Sequence, residues 1–184
     1  AVNAVEELIS LAKARPGELN CSVSPGSLVG DLFSAMAGVK IARIPYKGGG
    51  PALNALIGGE VQLMFATSGA VSPHVKSGRL RALAVTTAQP SALGPGLPTV
   101  AATVPGYESA AIYGIFAPAK LSETIIRRLN QEAVRFLSLP ATKGRLLESG
   151  VEAVGSAPEE LVVAVKAEYS KSGKLIKALG VGAQ

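Results

Sequence analysis

The sequence predicts an α/β fold built on an open, mostly parallel sheet, and three observations predict it. Apolar residues at helical spacing alternate with short β-like runs from one end of the chain to the other, the pattern of βα units. Apolar residues make up 48% of the 184 and charged residues only 17%, with mean hydropathy +0.34. That composition can bury a sizeable core and excludes global disorder. Unbroken apolar runs such as Leu83-Ala84-Val85 stay far below the roughly 20 residues of a membrane span.

Taken in order, Asn3 and Glu6 stand as a capping pair, and Val5, Leu8, Ile9 and Ala12 recur on one helical face until Pro16-Gly17. Cys21 opens a turn-rich loop to Ser27. A second helix follows, with Leu28, Leu32, Phe33 and Met36 on one side and Gly38 as its stop. Residues 39–44 are expected as a strand. The loop from Pro45 to Pro51 feeds a short helix over residues 52–57 that ends at Gly58-Gly59. Residues 61–66 read as a near-continuous apolar strand, buried on both faces. Thr67, Ser68 and Gly69 lead into a helix carrying His74, and residues 80–86 are expected as a further strand. Residues 88–105, rich in Pro and Gly, form an ordered connector. Residues 109–117 are predicted as a strand holding Tyr113 and Phe116. Ser122 caps a long helix with Ile125, Ile126, Leu129, Ala133 and Phe136 on one face. A shorter helix, a strand over residues 151–154 and a final helix opening at Ser156-Ala157-Pro158-Glu159 complete the chain.

In parallel α/β sheets, ligands sit beyond the carboxyl ends of the strands, where loops run into helix N-termini. Three such loops are made of Gly, Ser, Thr and Pro: residues 22–27, 46–52 and 67–70. Backbone N–H groups there can approach an anion closely, and each helix start adds about half a positive charge. The net charge is +5. Residues 32–107 hold Lys40, Arg43, Lys47, Lys76, Arg79 and Arg81 against one acid, Glu60. This placement suits a small anionic ligand around the loops, although solvated surface charge is the plainer reading of Lys76, Arg79 and Arg81. Nucleic acid is disfavoured, because no basic cluster interleaves with aromatics.

Catalytic and cofactor chemistry find little support. Lys47-Gly48-Gly49-Gly50 is not a nucleotide-phosphate loop, since its lysine precedes the glycines. The stretch is either a tight turn or an anion cradle. The lone Cys21 excludes an internal disulfide and a multi-cysteine zinc site, and reads as a small packing residue. The lone His74 has no acid or cysteine near it in sequence, so it reads as structural. Tyr113 is open between core packing and a ligand-facing hydroxyl. No cofactor and no metal are expected.

The linked motifs Ile44-Pro45-Tyr46-Lys47-Gly48-Gly49-Gly50-Pro51-Ala52, residues 58–65 from Gly58-Gly59-Glu60, and residues 73–86 from Pro73-His74-Val75 closely resemble the Bug-type solute receptors. These are the extracytoplasmic binding proteins of tripartite tricarboxylate transporters. Leu97-Pro98-Thr99-Val100, Pro105-Gly106-Tyr107-Glu108 and Gly155-Ser156-Ala157-Pro158-Glu159-Glu160 extend the likeness over nearly the whole chain. The resemblance implies a non-enzymatic, periplasmic-binding-protein type II-like (Venus flytrap) receptor in the periplasm of a Gram-negative cell. It would bind a small di- or tricarboxylate and partner the membrane subunits of the transporter without entering the membrane itself.

Carried over by position, the implied ligand-binding residues are Ser24, Ser27, Lys47, Gly48, Gly49, Gly50, Pro51, Ala52, Thr67, Ser68 and Tyr113. Residues 1–108 would form the second lobe and residues 109–184 the C-terminal part of the first. Family members normally begin with a secretion signal and a first-lobe segment of roughly a hundred residues, and neither is recognisable here. The loop before Leu28 is also shorter than the family's Gly-Ser-x-x-His-Leu stretch, with Ser27 at the place of the histidine. Two other readings stay open: a metabolite-sensing effector module, and a shortened relative that binds nothing and self-associates. The complete receptor is expected to be monomeric.

Overall fold

Asn20–Val23 (β1) is the central strand of a three-stranded parallel sheet in the computed structural model, which describes residues 2–179. It pairs residue for residue with Ala42–Pro45 (β2), from Asn20↔Ala42 to Val23↔Pro45. On its other side lies Leu63–Met64 (β3), through Cys21↔Leu63 and Ser22↔Met64. The crossovers are Val29–Ala37 (α2) and Gly49–Gly58 (α3). Val5–Ala14 (α1) precedes the sheet and Ser68–Lys76 (α4) follows it. This sheet belongs to the first of two compact units, Ala1–Ala110; the second is Ala111–Gln184.

Phe33 and Tyr107, each 1% exposed, anchor the core of the first unit. The Phe33 ring lies 5.6 Å from Phe65 and meets Tyr107 edge-on at 6.1 Å between centroids. The Tyr107 hydroxyl donates to the Val29 carbonyl at 3.0 Å, tying residue 107 to the first turn of α2. Burial raises the pKa of that phenol, so it stays a donor. At the start of α1, the Asn3 amide donates to the Glu7 carboxylate at 2.8 Å, so Glu7 rather than Glu6 closes the cap. Glu6 instead accepts from the Thr103 hydroxyl, which holds its carboxyl below the usual range.

Cys21 is part of β1 and not of the loop expected there. Side chains alternate along a strand, so Cys21 and Val23 share one face, and both line a small cavity with Gly30 and Phe65. Burial pushes the Cys21 thiol from 9.0 up to about 11. Native Cys21 is therefore expected to resist iodoacetamide at pH 8 and to react fully in denaturant, measured by mass spectrometry. A thiol raised in the folded state favours folding fully below its unfolded pKa, so this contribution fades as pH climbs from about 9 to 11. Ser22 points to the opposite face, 1% exposed, and its hydroxyl has no hydrogen-bond partner. An unsatisfied buried hydroxyl costs about 1–3 kcal/mol. Ser22→Ala should accordingly raise stability by about 1 kcal/mol, seen as a higher urea midpoint at unchanged slope.

Several expected strands are shorter or absent. Of residues 61–66, only Leu63 and Met64 enter the ladder, and both are half-buried. In residues 80–86, only Val85 pairs, in an isolated parallel bridge to Thr99. Pro95 and Pro98 lack the donors a longer ladder would use. The connector ends in a single 3₁₀ turn, Val100–Ala102. Residues 109–117 and 151–154 are not strands, because among the described residues no strand lies beside them.

Among the described residues the second unit holds three helices: Glu123–Ser138 (α5), Pro140–Glu148 (α6) and Pro158–Leu179 (α7). Ser122 occupies the N-cap of α5 without a side-chain bond. The Glu160 carboxylate accepts from the Ala157 amide at 2.9 Å, and Asn130 Nδ2 donates to the Ser156 carbonyl at 2.9 Å. Among the described residues, every buried apolar side chain belongs to the first unit. The apolar stripe of α5 at Ile125, Leu129 and Phe136 is exposed.

Candidate functional site

Because β1, β2 and β3 run parallel, their carboxyl ends share one edge, and the loops leaving them enter α2, α3 and α4 side by side. Neighbouring strands are about 4.8 Å apart, so the three strand ends from which these loops depart lie within about 10 Å across the sheet. The order β2-β1-β3 sends the connection after β1 to one side of the central strand and the connection after β2 across it to the other. The carboxyl-terminal edge of such a sheet is the usual ligand position.

On this edge, Ser24, Pro25, Gly26 and Ser27 make a tight turn. Proline stands at its second position, glycine at φ +72° at its third, and the Ser27 amide donates to the Ser24 carbonyl at 3.2 Å. The turn consumes the Ser27 N–H and places the N-cap of α2 at Leu28. The helix over residues 52–57 expected from the sequence in fact begins within the glycines, with Gly48 as N-cap and Gly49, Gly50 and Pro51 in its first turn. First-turn N–H groups have no carbonyl behind them. Pro51 has no N–H, so Gly49 and Gly50 are the first-turn donors of α3. Ala52 is fully buried, and its amide already donates to the Gly48 carbonyl at 3.3 Å. In the third loop, Thr67 is the N-cap of α4 and its hydroxyl makes no cap bond. The Ser68 hydroxyl donates to the Leu93 carbonyl at 3.0 Å, leaving the α4 start to present backbone.

The charges are arranged differently from the expectation of a basic shell around these loops. Lys47 is exposed on the loop edge. Lys40 precedes β2, at the opposite edge, and Lys76, Arg79 and Arg81 lie at or beyond the C-terminal end of α4, a helix about 13 Å long. Arg43 is neutralised by an ion pair with Asp31, which sits one residue outside the basic segment. The candidate loops therefore carry one cation, no acid and a set of backbone dipoles. Nearby, the Tyr46 hydroxyl donates to Glu60 at 3.5 Å; partial desolvation and then the Glu60 charge raise its pKa.

Tyr113 belongs to the second unit and is 68% exposed, so core packing, one of its two open readings, is not what the structure shows. His74 is half-buried in the last turn of α4, away from the loop edge. The cavity lined by Cys21, Gly30, Asp31 and Arg43 holds about 10 Å³, room for one water and not for a carboxylate. Among the described residues no cluster of three His, Cys, Asp or Glu could hold a metal ion.

Residues 1–181 match the family described as "Tripartite tricarboxylate transporter family receptor". The chain belongs to that family. Members of the tripartite tricarboxylate transporter receptor family are solute-binding receptors and not enzymes, with the periplasmic-binding-protein fold. Among relatives of this receptor chain, a UPF0065 protein of the clcB–clcD intergenic region of Pseudomonas knackmussii is 36% identical, covering 81% of this chain and 89% of that protein. Protein BugT of Bordetella pertussis is 31% identical over 97% of this chain and 56% of its own length. Among solved structures, an R. palustris protein with adipate is 38% identical with a TM-score of 0.87, covering 97% of this chain and 62% of that one. The periplasmic binding protein BugD is 27% identical at a TM-score of 0.82. MatC from Rhodopseudomonas palustris with bound malate is 25% identical at 0.78. The chain spans about half the length of most of the curated relatives it matches. No helix among the described residues is long and apolar enough to cross a membrane.

Proposed function

We propose that this chain supplies one wall of a carboxylate-binding cleft in an extracytoplasmic solute receptor of a Gram-negative bacterium. The receptor would deliver a small organic acid to the membrane subunits of a tripartite tricarboxylate transporter. The observation that carries the reading is the convergence of the α2, α3 and α4 starts on one edge of the sheet, with Gly49 and Gly50 as the α3 donors and no acid in the loops. Backbone amides at helix starts stabilise a carboxylate without a charged partner. The relatives solved with adipate and malate make dicarboxylates the natural first ligands to test. In this reading, residues 1–108 are one lobe and residues 109–184 a part of the other. Ser24, Ser27, Lys47, Gly48, Thr67 and Ser68 flank the anion, Pro51 and Ala52 hold the α3 turn in place, and Tyr113 is the ligand residue contributed by the first-lobe part.

The test is site-resolved: titration of the ¹⁵N-labelled chain with adipate and malate. The amides of Gly48, Gly49, Gly50 and Thr67 are expected to move saturably while those of α1 stay fixed. Movement with sugars or divalent cations, and none with carboxylates, would overturn the reading.

A further inference from the structure

Thr67 caps α4, so Ser68 and Gly69 are its first helical residues, and no carbonyl lies behind their N–H groups. The Ala70 amide already donates to the Thr67 carbonyl at 3.1 Å. The amides that the α4 start can offer a ligand are therefore those of Ser68 and Gly69. What holds them lies far away in sequence: the Ser68 hydroxyl donates to the Leu93 carbonyl at 3.0 Å.

Leu93 sits in a stretch stiffened from within. Its amide donates to the Ser91 hydroxyl at 3.0 Å, and the Gly94 amide donates to the Ser91 carbonyl at 3.1 Å. A second turn follows at once, with the Leu97 amide on the Gly94 carbonyl at 3.1 Å. Pro95 and Gly96, the latter at φ +78°, fill its second and third positions, as a type II turn requires. The base beneath is pinned as well. Val85 donates to the Pro98 carbonyl and accepts from the Val100 amide, both at 2.9 Å, and the Thr86 carbonyl accepts from the Ser109 amide at 2.8 Å. Gly94 is buried against this base, and a Cβ on it would stand 2.7 Å from Val85 Cγ1. Its φ lies outside the left-handed region, so space and not backbone conformation is what calls for glycine. Valine is stiff about χ1 and this one is bonded through both its N–H and its C=O, so Val85 has little freedom to yield.

We infer that residues 91–97 are a rigid strut that sets the position of the α4 donors, with Gly94 as the positioning residue. Its missing side chain fixes how closely the strut seats on Val85. The functional consequence rests on the carboxylate reading above, whereas the strut itself is a property of the unliganded chain. A methyl at residue 94 has to move off Val85 until an ordinary contact of 3.4–4 Å is regained. That movement carries the Leu93 carbonyl out of register with Ser68.

Two readouts on the 184-residue chain test this. In ¹⁵N spectra without ligand, Gly94→Ala is expected to shift the Ser68 and Gly69 amides. Adding Val85→Ala, which restores the space, should return them toward their wild-type positions. In calorimetry with adipate, Gly94→Ala should bind about 2- to 10-fold more weakly, the effect of one neutral hydrogen bond, and the pair with Val85→Ala should recover. Ser68→Ala should lose a similar factor. Combined with Gly94→Ala it should lose no more than either alone, because both break the same bond. Unmoved Ser68 and Gly69 amides, or a shift that Val85→Ala fails to reverse, would overturn the strut. Amides that move while adipate affinity stays unchanged would remove it from the site. Losses that multiply in the Ser68→Ala and Gly94→Ala combination would also overturn it, since Ser68 would then act on the ligand independently of Leu93. A wild-type chain that binds neither adipate nor malate sinks the carboxylate reading, while the unliganded spectra still decide the strut.

Discussion

Phe33→Ala is expected to lower stability by about 3–5 kcal/mol, the usual cost of emptying an aromatic site in a packed core. The ring is 1% exposed and sits between Phe65 and Tyr107. Its loss strips both neighbours of a partner at once. It also loosens the α2 face against which the Tyr107 hydroxyl makes its bond to Val29. Collapse into the gap is hindered because Phe65 is tethered just beyond β3 and Tyr107 by that hydrogen bond, so most of the cavity cost should persist. Thermal unfolding of the first unit should fall by on the order of 10–20 °C. Phe33→Leu, which keeps most of the volume, should lose less than half as much. Equal losses from the two variants would show that the cavity term is not what holds this core.

The second large effect concerns ligand affinity. Gly49→Pro is expected to weaken dicarboxylate binding about 10- to 100-fold while leaving α3 intact. Proline is favoured at the first helical position because its missing N–H has no intrahelical partner there. It also requires an extended residue before it, and Gly48 is extended at φ 175°, ψ 177°. A Cβ at Gly49 meets nothing within 4 Å, so that side of the ring is unobstructed. The substitution thus removes one donor and little else. A hydrogen bond to a charged group contributes about 1.5–3 kcal/mol, which is the stated range of affinity. Gly49→Ala retains the N–H and should bind almost as wild type. Calorimetry with adipate reads both variants, and circular dichroism confirms the helix. Unaltered affinity in Gly49→Pro would remove the α3 amides from the site.

Much of the site was legible because it rests on local chemistry. Gly26 after Pro25 specifies a tight turn, and Gly48 to Pro51 specify an open helix start; both follow from backbone preferences of residues adjacent in sequence. The start of α3 moved forward, since Gly49 and Gly50 are tolerated in a first turn where anion approach favours them. Ser27 and Ala52 proved to spend their amides within the protein, which depends on turn and helix geometry that residue types alone do not reveal.

The order of helices, the parallel βα progression and the three small-residue loops were determined by the sequence itself, since periodicity and turn chemistry act over a few residues. Tertiary structure decided the rest. A strand exists only where another backbone lies beside it, so residues 80–86, 109–117 and 151–154 carry strand-like composition without a ladder, while Cys21, expected in a loop, lies in the central strand. Charges were redistributed by the same non-local logic. Asp31 neutralises Arg43 from another element, and the alternation of strands and helices carries Lys40, Lys76, Arg79 and Arg81 to the edge opposite the loops. What remains at the candidate site is one lysine and a set of helix dipoles, whose common direction comes from the parallel sheet beneath them.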